Sequence, residues 1–255
     1  MISIKSQREI ELMRATCRLA SDCLDYLGQQ LETGMTTEDV NQLCHKYILD
    51  HGAIPAPLNY HGFPKSVCTS LNDVICHGIP SKKDKLKNGD ILNIDVTTIL
   101  SGFHGDTNRT FLIGDVRPEI KKLVDTTYEC MMKGINTVKP GSFLGDIGAA
   151  IEKHAHEHDF SVVHEYCGHG IGREFHEEPQ VLHYGKAGTG VMLKEGMTFT
   201  VEPMINIGKR YCKLLSDGWT VKTKDGSWSA QFEHTVLVTA DGVEVLTEWP
   251  SKRDE

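Results

Sequence analysis

The stretch ILNIDVT, residues 91–97, decides the fold class because it combines a strand pattern with an unusual polar side. Side chains alternate across a strand, so the three aliphatic residues at even positions share one face. Asn93, Asp95 and Thr97 share the other face. A strand with a carboxylate opposite a wholly apolar face places that carboxylate against water or in a site.

The residues that follow complete a predicted hairpin. Residues 100–102 (LSG) predict a turn, and residues 107–113 predict a return strand that follows His104-Gly105-Asp106. With an even number of loop residues, Asp95 and Asp106 project from the same face of neighbouring strands; an odd loop or a bulge separates them. On this stretch alone, a solvated hairpin with two surface acids and a functional site explain the pattern equally well.

The composition is that of a globular protein with one domain. The chain has 255 residues, enough for a large core, and no repeat or linker divides residues 1–255. A formal net charge of −8 argues against nonspecific binding to nucleic acid. No apolar run resembles a signal peptide or a membrane span. Eight cysteines without a C-x-x-C pair argue against a disulfide scaffold, and we expect a cytoplasmic protein.

Four helices are predicted around the central hairpin. The first begins at a capping box formed by Ser6 and Glu9, and the second covers residues 37–51. The third covers residues 118–138, and Ser142 caps the fourth. Strand-plus-helix blocks of this kind predict an α+β protein with helices on one side of an antiparallel sheet.

The second half of the chain repeats the unusual strand character. Residues 166–172 (YCGHGIG) place three glycines around one histidine, which allows sharp turns and close backbone approach. Residues 198–202 (TFTVE) and 231–236 (QFEHTV) each predict a strand whose polar face carries a carboxylate. The carboxylates are Glu202 in the first segment and Glu233 in the second.

Three predicted strand segments therefore present acids without a lysine or arginine on the same faces. Two carboxylates about 4 Å apart repel by roughly 4 kcal/mol at an effective dielectric constant near 20, so gathering four requires protonation or cations. Two divalent ions neutralise four carboxylates. Oxygen ligands with one imidazole, that of His169, suit Mn, Fe(II), Co or Zn. The alternative is four unrelated surface acids.

Several motifs give the chain a strong resemblance to a known family. It resembles the type I methionine aminopeptidases in their short bacterial form, nearly end to end, through Asp95, Gly105-Asp106, residues 167–172 (CGHGIG), 175–179 (FHEEP), 200–203 (TVEP) and 231–235 (QFEHT). The resemblance implies the pita-bread fold, which has two pseudo-symmetric halves, a curved antiparallel sheet and helices on its outer face. It also implies removal of the initiator methionine from nascent proteins when the second residue is small.

The resemblance implies two divalent ions per chain. Asp95 is expected to chelate one ion, Asp106 and Glu233 to bridge both, and His169 and Glu202 to bind the other. A water shared by two such ions loses its proton near neutral pH and becomes the nucleophile. Glu202 is expected to act as the general base.

Two further histidines receive roles from the family match. His77 resembles the family histidine that contacts the scissile nitrogen. His176 resembles the one that hydrogen-bonds the carbonyl oxygen as that oxygen gains charge. Without the resemblance, a satisfied structural role is the better interpretation of each.

The resemblance also implies a pocket for the methionine side chain. The matching positions are Tyr60, Phe63, Cys68, Phe175 and Trp219. Aromatic rings and a thiol suit a flexible thioether, although aromatic residues without the family match belong more often to a core. Phe63 stands where the family commonly carries tyrosine, so the pocket lacks one hydroxyl.

Remaining expectations concern ions and partners. Asn72, Val74 and Ser229 match a monovalent-cation site of relatives. The basic loop at residues 82–87 is a solvated turn or a transient contact with the ribosome. The expected partner is the N-terminal peptide of a nascent protein, with no specific nucleic acid and no membrane, and the protein is expected to be a monomer.

Two other functions are compatible with parts of this pattern. An Xaa-Pro dipeptidase of the same fold usually carries a further N-terminal domain, for which this chain has no room. A non-catalytic binding protein on the same fold, acting on ribosomes or RNA, is expected to lose metal ligands. All five expected ligands are present here.

Overall fold

Helices form where capping and apolar periodicity predict them. The computed structural model describes residues 2–250, and its helices are α1 (Gln7–Gln30), α2 (Thr37–Asp50), α3 (Pro118–Ile135) and α4 (Leu144–Glu157). The Ser6 hydroxyl accepts the Glu9 N–H at 3.4 Å, and the Glu9 carboxylate accepts the Ser6 N–H at 3.0 Å, as the capping box predicts. Within the described residues, no helix is long and apolar enough to cross a membrane.

Fifteen strands in the described part of the chain form three antiparallel sheets. In chain order they are β1 (Ile54–Pro55), β2 (Cys68–Leu71), β3 (Val74–Cys76), β4 (Ile91–Leu100), β5 (Phe103–Leu112), β6 (Ser161–Val162), β7 (Gly168–Gly170), β8 (Glu177–Val181), β9 (Thr198–Val201), β10 (Met204–Asn206), β11 (Cys212–Leu214), β12 (Val221–Thr223), β13 (Ser229–Gln231), β14 (Glu233–Val238) and β15 (Val243–Val245). The largest sheet has the order β1-β4-β5-β14-β9-β7-β8, with β2 also on β4 and β15 also on β14. The pairing of β5 with β14 joins the two halves of the chain.

The hairpin of β4 and β5 has the even loop that places its acids together. Ser101 and Gly102 form the two-residue turn, with φ values of 53° and 78°, as a tight hairpin turn requires. In the register that results, Thr97 lies opposite Asp106 and Asp95 lies opposite Asn108. Asp95 and Asp106 therefore project from the same face, as predicted for an even loop.

Helix α1 packs against the other face of this hairpin. Gly105 allows the close approach, because a Cβ atom there would lie 2.6 Å from the main-chain nitrogen of Cys17. The Thr98 hydroxyl donates to the Thr16 carbonyl at 3.0 Å, which ties β4 to the helix. Helix α1 thus supports β4 and β5 on the face opposite Asp95 and Asp106.

The second half is covered in the same way by α3 and α4. These helices pack against each other, and α3 contacts β9 and β14. Leu123, Met131 and Ile147 are fully buried in the core they share with α1 and α2. Helices therefore lie against the sheet in both halves, which confirms the predicted α+β class.

Two local predictions are wrong. Ser142 does not cap α4: its hydroxyl donates to the Lys139 carbonyl at 2.8 Å, and Asp146 instead accepts the Phe143 N–H at 2.7 Å. The strand predicted at residues 231–236 is interrupted at Phe232. β13 pairs with β10 in a small sheet, whereas β14 pairs with β5 and β9 in the large one. Competition between two partner strands separates them, which alternation of side chains cannot reveal.

Candidate active site

One cavity of about 530 Å³ lies on the polar side of the large sheet. The cavity is lined by the residues predicted as metal ligands, as catalytic groups and as the methionine pocket. They are Tyr60, Phe63, Cys68, His77, Asp95, Asp106, His169, Phe175, His176, Glu202, Trp219 and Glu233. Of the lysines and arginines among residues 2–250, none lines this cavity. Lys5 pairs with Glu177 at the cavity wall at 2.7 Å, but the four carboxylates predicted as metal ligands have no lysine or arginine partner among the described residues.

The order of the strands explains how the five predicted metal ligands meet. Asp95 lies on β4, Asp106 on β5, Glu233 at the start of β14, Glu202 directly after β9, and His169 in β7. These five strands are consecutive neighbours in the sheet. Each neighbour contributes one donor, so segments far apart in the chain converge on one place.

The imidazole of His169 is held in one orientation. Its Nδ1–H donates to the Gly170 carbonyl at 2.9 Å, so the Nε2 atom carries the lone pair. This atom lies 3.7 Å from Asp106 Oδ2 and 3.6 Å from Glu202 Oε1. Burial lowers the pKa of His169 to about 4, which favours the neutral ring. A lone pair that faces two carboxylates is stable when a cation lies between them.

Neutral donors hold three of the four carboxylates. Thr97 donates to Asp106 Oδ1 at 2.7 Å, and Asn108 donates to Glu233 Oε2 at 2.7 Å. The Thr200 hydroxyl donates to Glu202 Oε1 at 2.7 Å, and Gln231 Nε2 donates to Glu202 Oε2 at 3.2 Å. These bonds orient the carboxylates without neutralising them.

Burial opposes ionisation of all four acids. It raises the pKa of Asp95 and Glu202 above the ordinary carboxyl range. It also raises the pKa of Asp106 and of Glu233, and repulsion from the neighbouring carboxylates raises both further. The cluster therefore binds protons or cations in preference to remaining charged and unpaired.

The donor set fits divalent metal ions. Donor atoms of Asp106, His169 and Glu233 lie within 4.8 Å of one another. The buried atoms Asp95 Oδ1 and Glu233 Oε1 have no hydrogen-bond partner among the described residues. Oxygen ligands with one imidazole suit Mn, Fe(II), Co and Zn, whose bonds of roughly 2 Å fit between such donors.

The rest of the cavity is largely aromatic. The rings of Tyr60 and Phe175 have centroids 4.9 Å apart, and those of Phe63 and Trp219 have centroids 5.2 Å apart. Cys68 lies opposite Asp95 in the pairing of β2 with β4, and it lines the cavity beside that carboxylate. The cavity therefore combines an apolar compartment with a floor of carboxylates.

Two histidines line the cavity between these parts. His176 stacks on Phe175 with centroids 4.3 Å apart, and its Nδ1 accepts from or donates to the Tyr60 hydroxyl at 2.7 Å. Burial lowers the pKa of His176 to about 3. The ring centroids of His77 and Trp219 lie 6.3 Å apart, and burial lowers the pKa of His77 as well. Both rings are therefore neutral hydrogen-bonding groups at ordinary pH.

The three residues predicted for a monovalent cation lie outside this cavity. Asn72 and Val74 line a separate groove. The Ser229 N–H donates to the Asn72 carbonyl at 3.0 Å, so the two segments are neighbours. The buried Ser229 hydroxyl has no hydrogen-bond partner among the described residues.

No site role was predicted for the polar residues that hold the predicted ligands. Thr97, Asn108, Thr200 and Gln231 each lie two positions from a ligand. For Thr97, Asn108 and Thr200, that spacing places the side chain on the same strand face as the predicted ligand, and it is the signal that finds them. Gln231 lies on β13, in another sheet from Glu233 on β14, so the spacing does not account for its position. His183 carries no such signal, although its buried Nε2 accepts the Glu202 N–H at 3.1 Å.

A curved sheet whose neighbouring strands direct four carboxylates and an imidazole into one cavity defines a metal-dependent hydrolase. Comparison with known proteins gives the family. The model of metallopeptidase family M24 matches residues 11–240. The chain therefore belongs to metallopeptidase family M24.

Individual relatives agree over the full length. Methionine aminopeptidase of Rickettsia prowazekii is 56% identical over 255 residues, covering 99% of this chain and 98% of its own. Methionine aminopeptidase of Escherichia coli (strain K12) is 52% identical over 247 residues, covering 96% and 94%. The crystal structure of the Rickettsia prowazekii enzyme superposes with a TM-score of 0.96 at 55% identity, covering 97% of this chain and 100% of its own. The predicted family, pita-bread fold and hydrolase class are confirmed.

Proposed function

We propose that this enzyme removes the N-terminal methionine from nascent proteins and peptides whose second residue is small. The observation that carries the proposal is the shared cavity, in which an aromatic compartment adjoins the five predicted metal ligands. The names of its full-length relatives support the same activity.

The acids of the cavity would hold two divalent ions. Asp95 is proposed to chelate one, His169 and Glu202 to bind the other, and Asp106 and Glu233 to bridge them. The central positions of β5 and β14 in the sheet agree with the bridging role. When bound, the ions would supply Lewis acidity and lower the pKa of an attacking water.

Glu202 is proposed as the general base. Its two carboxylate oxygens are held by Thr200 and Gln231, so the group keeps one orientation. Burial raises its pKa, which makes it a stronger base than an exposed glutamate. It would accept a proton from the attacking water and deliver that proton to the leaving amine.

Two neutral histidines would orient the peptide bond. His176 is held at Nδ1 by Tyr60, so its Nε2 is the atom left for the carbonyl oxygen of the substrate. Stabilising the charge that develops on this oxygen lowers the barrier to attack. His77, which lines the same cavity, is proposed to contact the scissile nitrogen.

The methionine side chain is proposed to lie among Tyr60, Phe63, Cys68, Phe175 and Trp219. Rings packed at centroid distances near 5 Å form an apolar wall, which suits a thioether. Phe63 is buried and contributes no hydroxyl, so Tyr60 is the one of these five residues that brings a phenolic oxygen.

Further expectations belong to this proposal. We propose a cytoplasmic monomer that acts on nascent chains and contacts the ribosome transiently. Asn72, Val74 and Ser229 are proposed to bind a monovalent cation, for which the unpartnered Ser229 hydroxyl is a candidate ligand.

The test is hydrolysis of a peptide panel by metal-free protein and by protein loaded with Co, Mn, Fe(II) or Zn. We expect cleavage of Met-Ala and Met-Gly peptides after loading, and poor cleavage when Lys or Leu follows Met. Trp219→Ala should weaken the preference for Met over smaller first residues. Full activity in metal-free protein, or equal kcat/KM for Met-Lys and Met-Ala peptides, contradicts the proposal.

An Xaa-Pro peptidase is the alternative within the same fold, and the panel separates it. Xaa-Pro dipeptides should remain intact under conditions in which Met-Gly-Met is cleaved. Preferential hydrolysis of the Xaa-Pro substrates would replace the methionine assignment while leaving the metal site in place.

A further inference from the structure

Two histidines and a glutamate form a cluster between α3 and α4, remote from the cavity described above. Glu129 lies on α3, His154 lies in the last turn of α4, and His158 follows α4 directly. One donor atom from each residue lies within 4.8 Å of the others. None of the three lines the main cavity, so the cluster is a separate feature.

The donors converge because of helical spacing and helix packing. His154 and His158 are four positions apart, which places neighbouring side chains on one helical face, and their ring centroids lie 4.5 Å apart. His154 Nε2 lies 2.7 Å from Glu129 Oε2, so the second helix contributes the carboxylate. His156 stands between the two histidines in sequence but is exposed and is not part of this cluster.

Both rings have a second contact that orients them. His154 Nδ1 lies 3.7 Å from Glu157 Oε2, and His158 Nδ1–H donates to the His154 carbonyl at 3.0 Å. Histidines that bind metal ions commonly donate their other ring N–H to a carboxylate or a main-chain carbonyl, and this contact fixes the ring. His158 keeps its Nε2 as a ligand atom, and His154 Nε2, now 2.7 Å from Glu129 Oε2, becomes a ligand when an ion replaces the proton between these two atoms.

Nearby charges select the class of metal. Lys121, Lys122 and Asp125 line an adjoining groove of about 450 Å³ together with Glu129 and His158. Lys153 lies 3.7 Å from Glu157, so lysines offset the acids around the cluster. An ion that depends on charge and oxygen ligands gains little here. Two imidazoles instead favour zinc, copper, nickel or cobalt over magnesium or calcium.

We propose that Glu129, His154 and His158 bind one divalent ion of the zinc class. Three protein ligands leave a fourth position for water, as in open zinc sites. Because the ligands come from α3 and from the end of α4, the ion links the two helices and stabilises their packing. The carboxyl end of α4 adds a negative partial charge that favours a cation there.

The test counts zinc in the full-length protein by equilibrium dialysis and elemental analysis. Wild type is compared with Glu129→Gln and His158→Ala, while the buried His154 is left in place to preserve folding. His156→Ala is the matched control, because it removes an exposed histidine of the same segment. Wild type and His156→Ala should bind one more zinc ion per chain than Glu129→Gln and His158→Ala.

A second readout separates a site from scattered surface histidines. Zinc should raise the Tm of wild type and of His156→Ala more than that of Glu129→Gln and of His158→Ala. With magnesium in place of zinc, the four proteins should bind equal numbers of ions. Equal zinc counts in all four proteins, or a loss in His156→Ala as large as that in His158→Ala, would overturn the site. A magnesium ion lost in Glu129→Gln would overturn the metal class.

Discussion

Single hydrogen bonds fix the donor atoms of the main cavity. The Thr97 hydroxyl donates to Asp106 Oδ1 at 2.7 Å and leaves Oδ2 facing His169. We predict that Thr97→Val lowers metal affinity by about 10- to 100-fold, because groups that orient a ligand contribute on this scale. Metal titration by calorimetry measures the change.

The matched control is the next residue on the same strand. Thr98 projects to the opposite face, where its hydroxyl donates to the Thr16 carbonyl. Thr98→Val should lower the free energy of unfolding by about 1–2 kcal/mol and leave metal affinity unchanged. Equal losses of metal affinity in the two variants would show that Thr97 acts through folding and not through Asp106.

Glu202 is proposed to serve as a ligand and as a base, and one substitution separates these roles. Glu202→Gln keeps the size of the side chain, but an amide cannot accept the proton of the attacking water. We predict a kcat reduced at least about 100-fold even when metal is saturating, since general-base catalysis contributes about 10²- to 10⁴-fold. If kcat returns to the wild-type value at saturating metal, Glu202 is a ligand and nothing more.

At the scale of elements, the position of α1 behind the hairpin depends on Gly105. A Cβ atom at this position would lie 2.6 Å from main-chain atoms of Thr16 and Cys17, which are backbone and cannot rotate away. Gly105→Ala should therefore displace α1 or β5 and lower the free energy of unfolding by about 1–3 kcal/mol. Peptidase activity should fall as well, because Asp106 is the next residue. Chemical denaturation beside kcat/KM measures both effects.

Gly242 provides the control for this substitution. Nothing lies within 4 Å of a Cβ atom built there, and its φ lies outside the left-handed region. Gly242→Ala should leave stability within about 0.5 kcal/mol and activity unchanged. A stable and fully active Gly105→Ala variant would show that α1 is not held against β5 by close backbone contact.

At the scale of the whole molecule, five neighbouring strands carry the proposed ligands, so metal binding should stabilise the fold. Each ion at about 100 times its Kd stabilises the folded state by roughly 2.7 kcal/mol, which corresponds to a Tm increase of about 5–10 °C per ion. We predict this difference between loaded and chelator-treated protein. The measurement uses the Glu129→Gln background, so that the cluster between α3 and α4 does not contribute.

Asp106→Asn is the control for the metal effect. It removes one of the repelling buried acids, so the metal-free variant should melt at or above the temperature of metal-free wild type. The increase in Tm on adding metal should be much smaller than in wild type. An equal increase in both proteins would place the stabilising ions outside the main cavity.

Several features of the fold and site were predicted from the sequence because they depend on neighbours along the chain. The alternation in residues 91–97 placed Asp95 on a polar face, and the capping box of Ser6 and Glu9 set the start of α1. Alternation also places Thr97 on the face of Asp95 and Asn108 on the face of Asp106, but it does not reveal which carboxylate each one bonds. Local periodicity does not depend on which strands pair in the sheet, so the sequence determined these features by itself.

Only the tertiary structure decided which donors face each other. Asn108 donates to Glu233 across 125 positions of the chain, and Gln231 reaches Glu202 from a strand of another sheet. The two carboxylates that face His169 Nε2 and the bond from Glu202 to His183 arise from the same long-range packing. Such contacts depend on the pairing of β5 with β14, which joins segments that local periodicity describes one at a time.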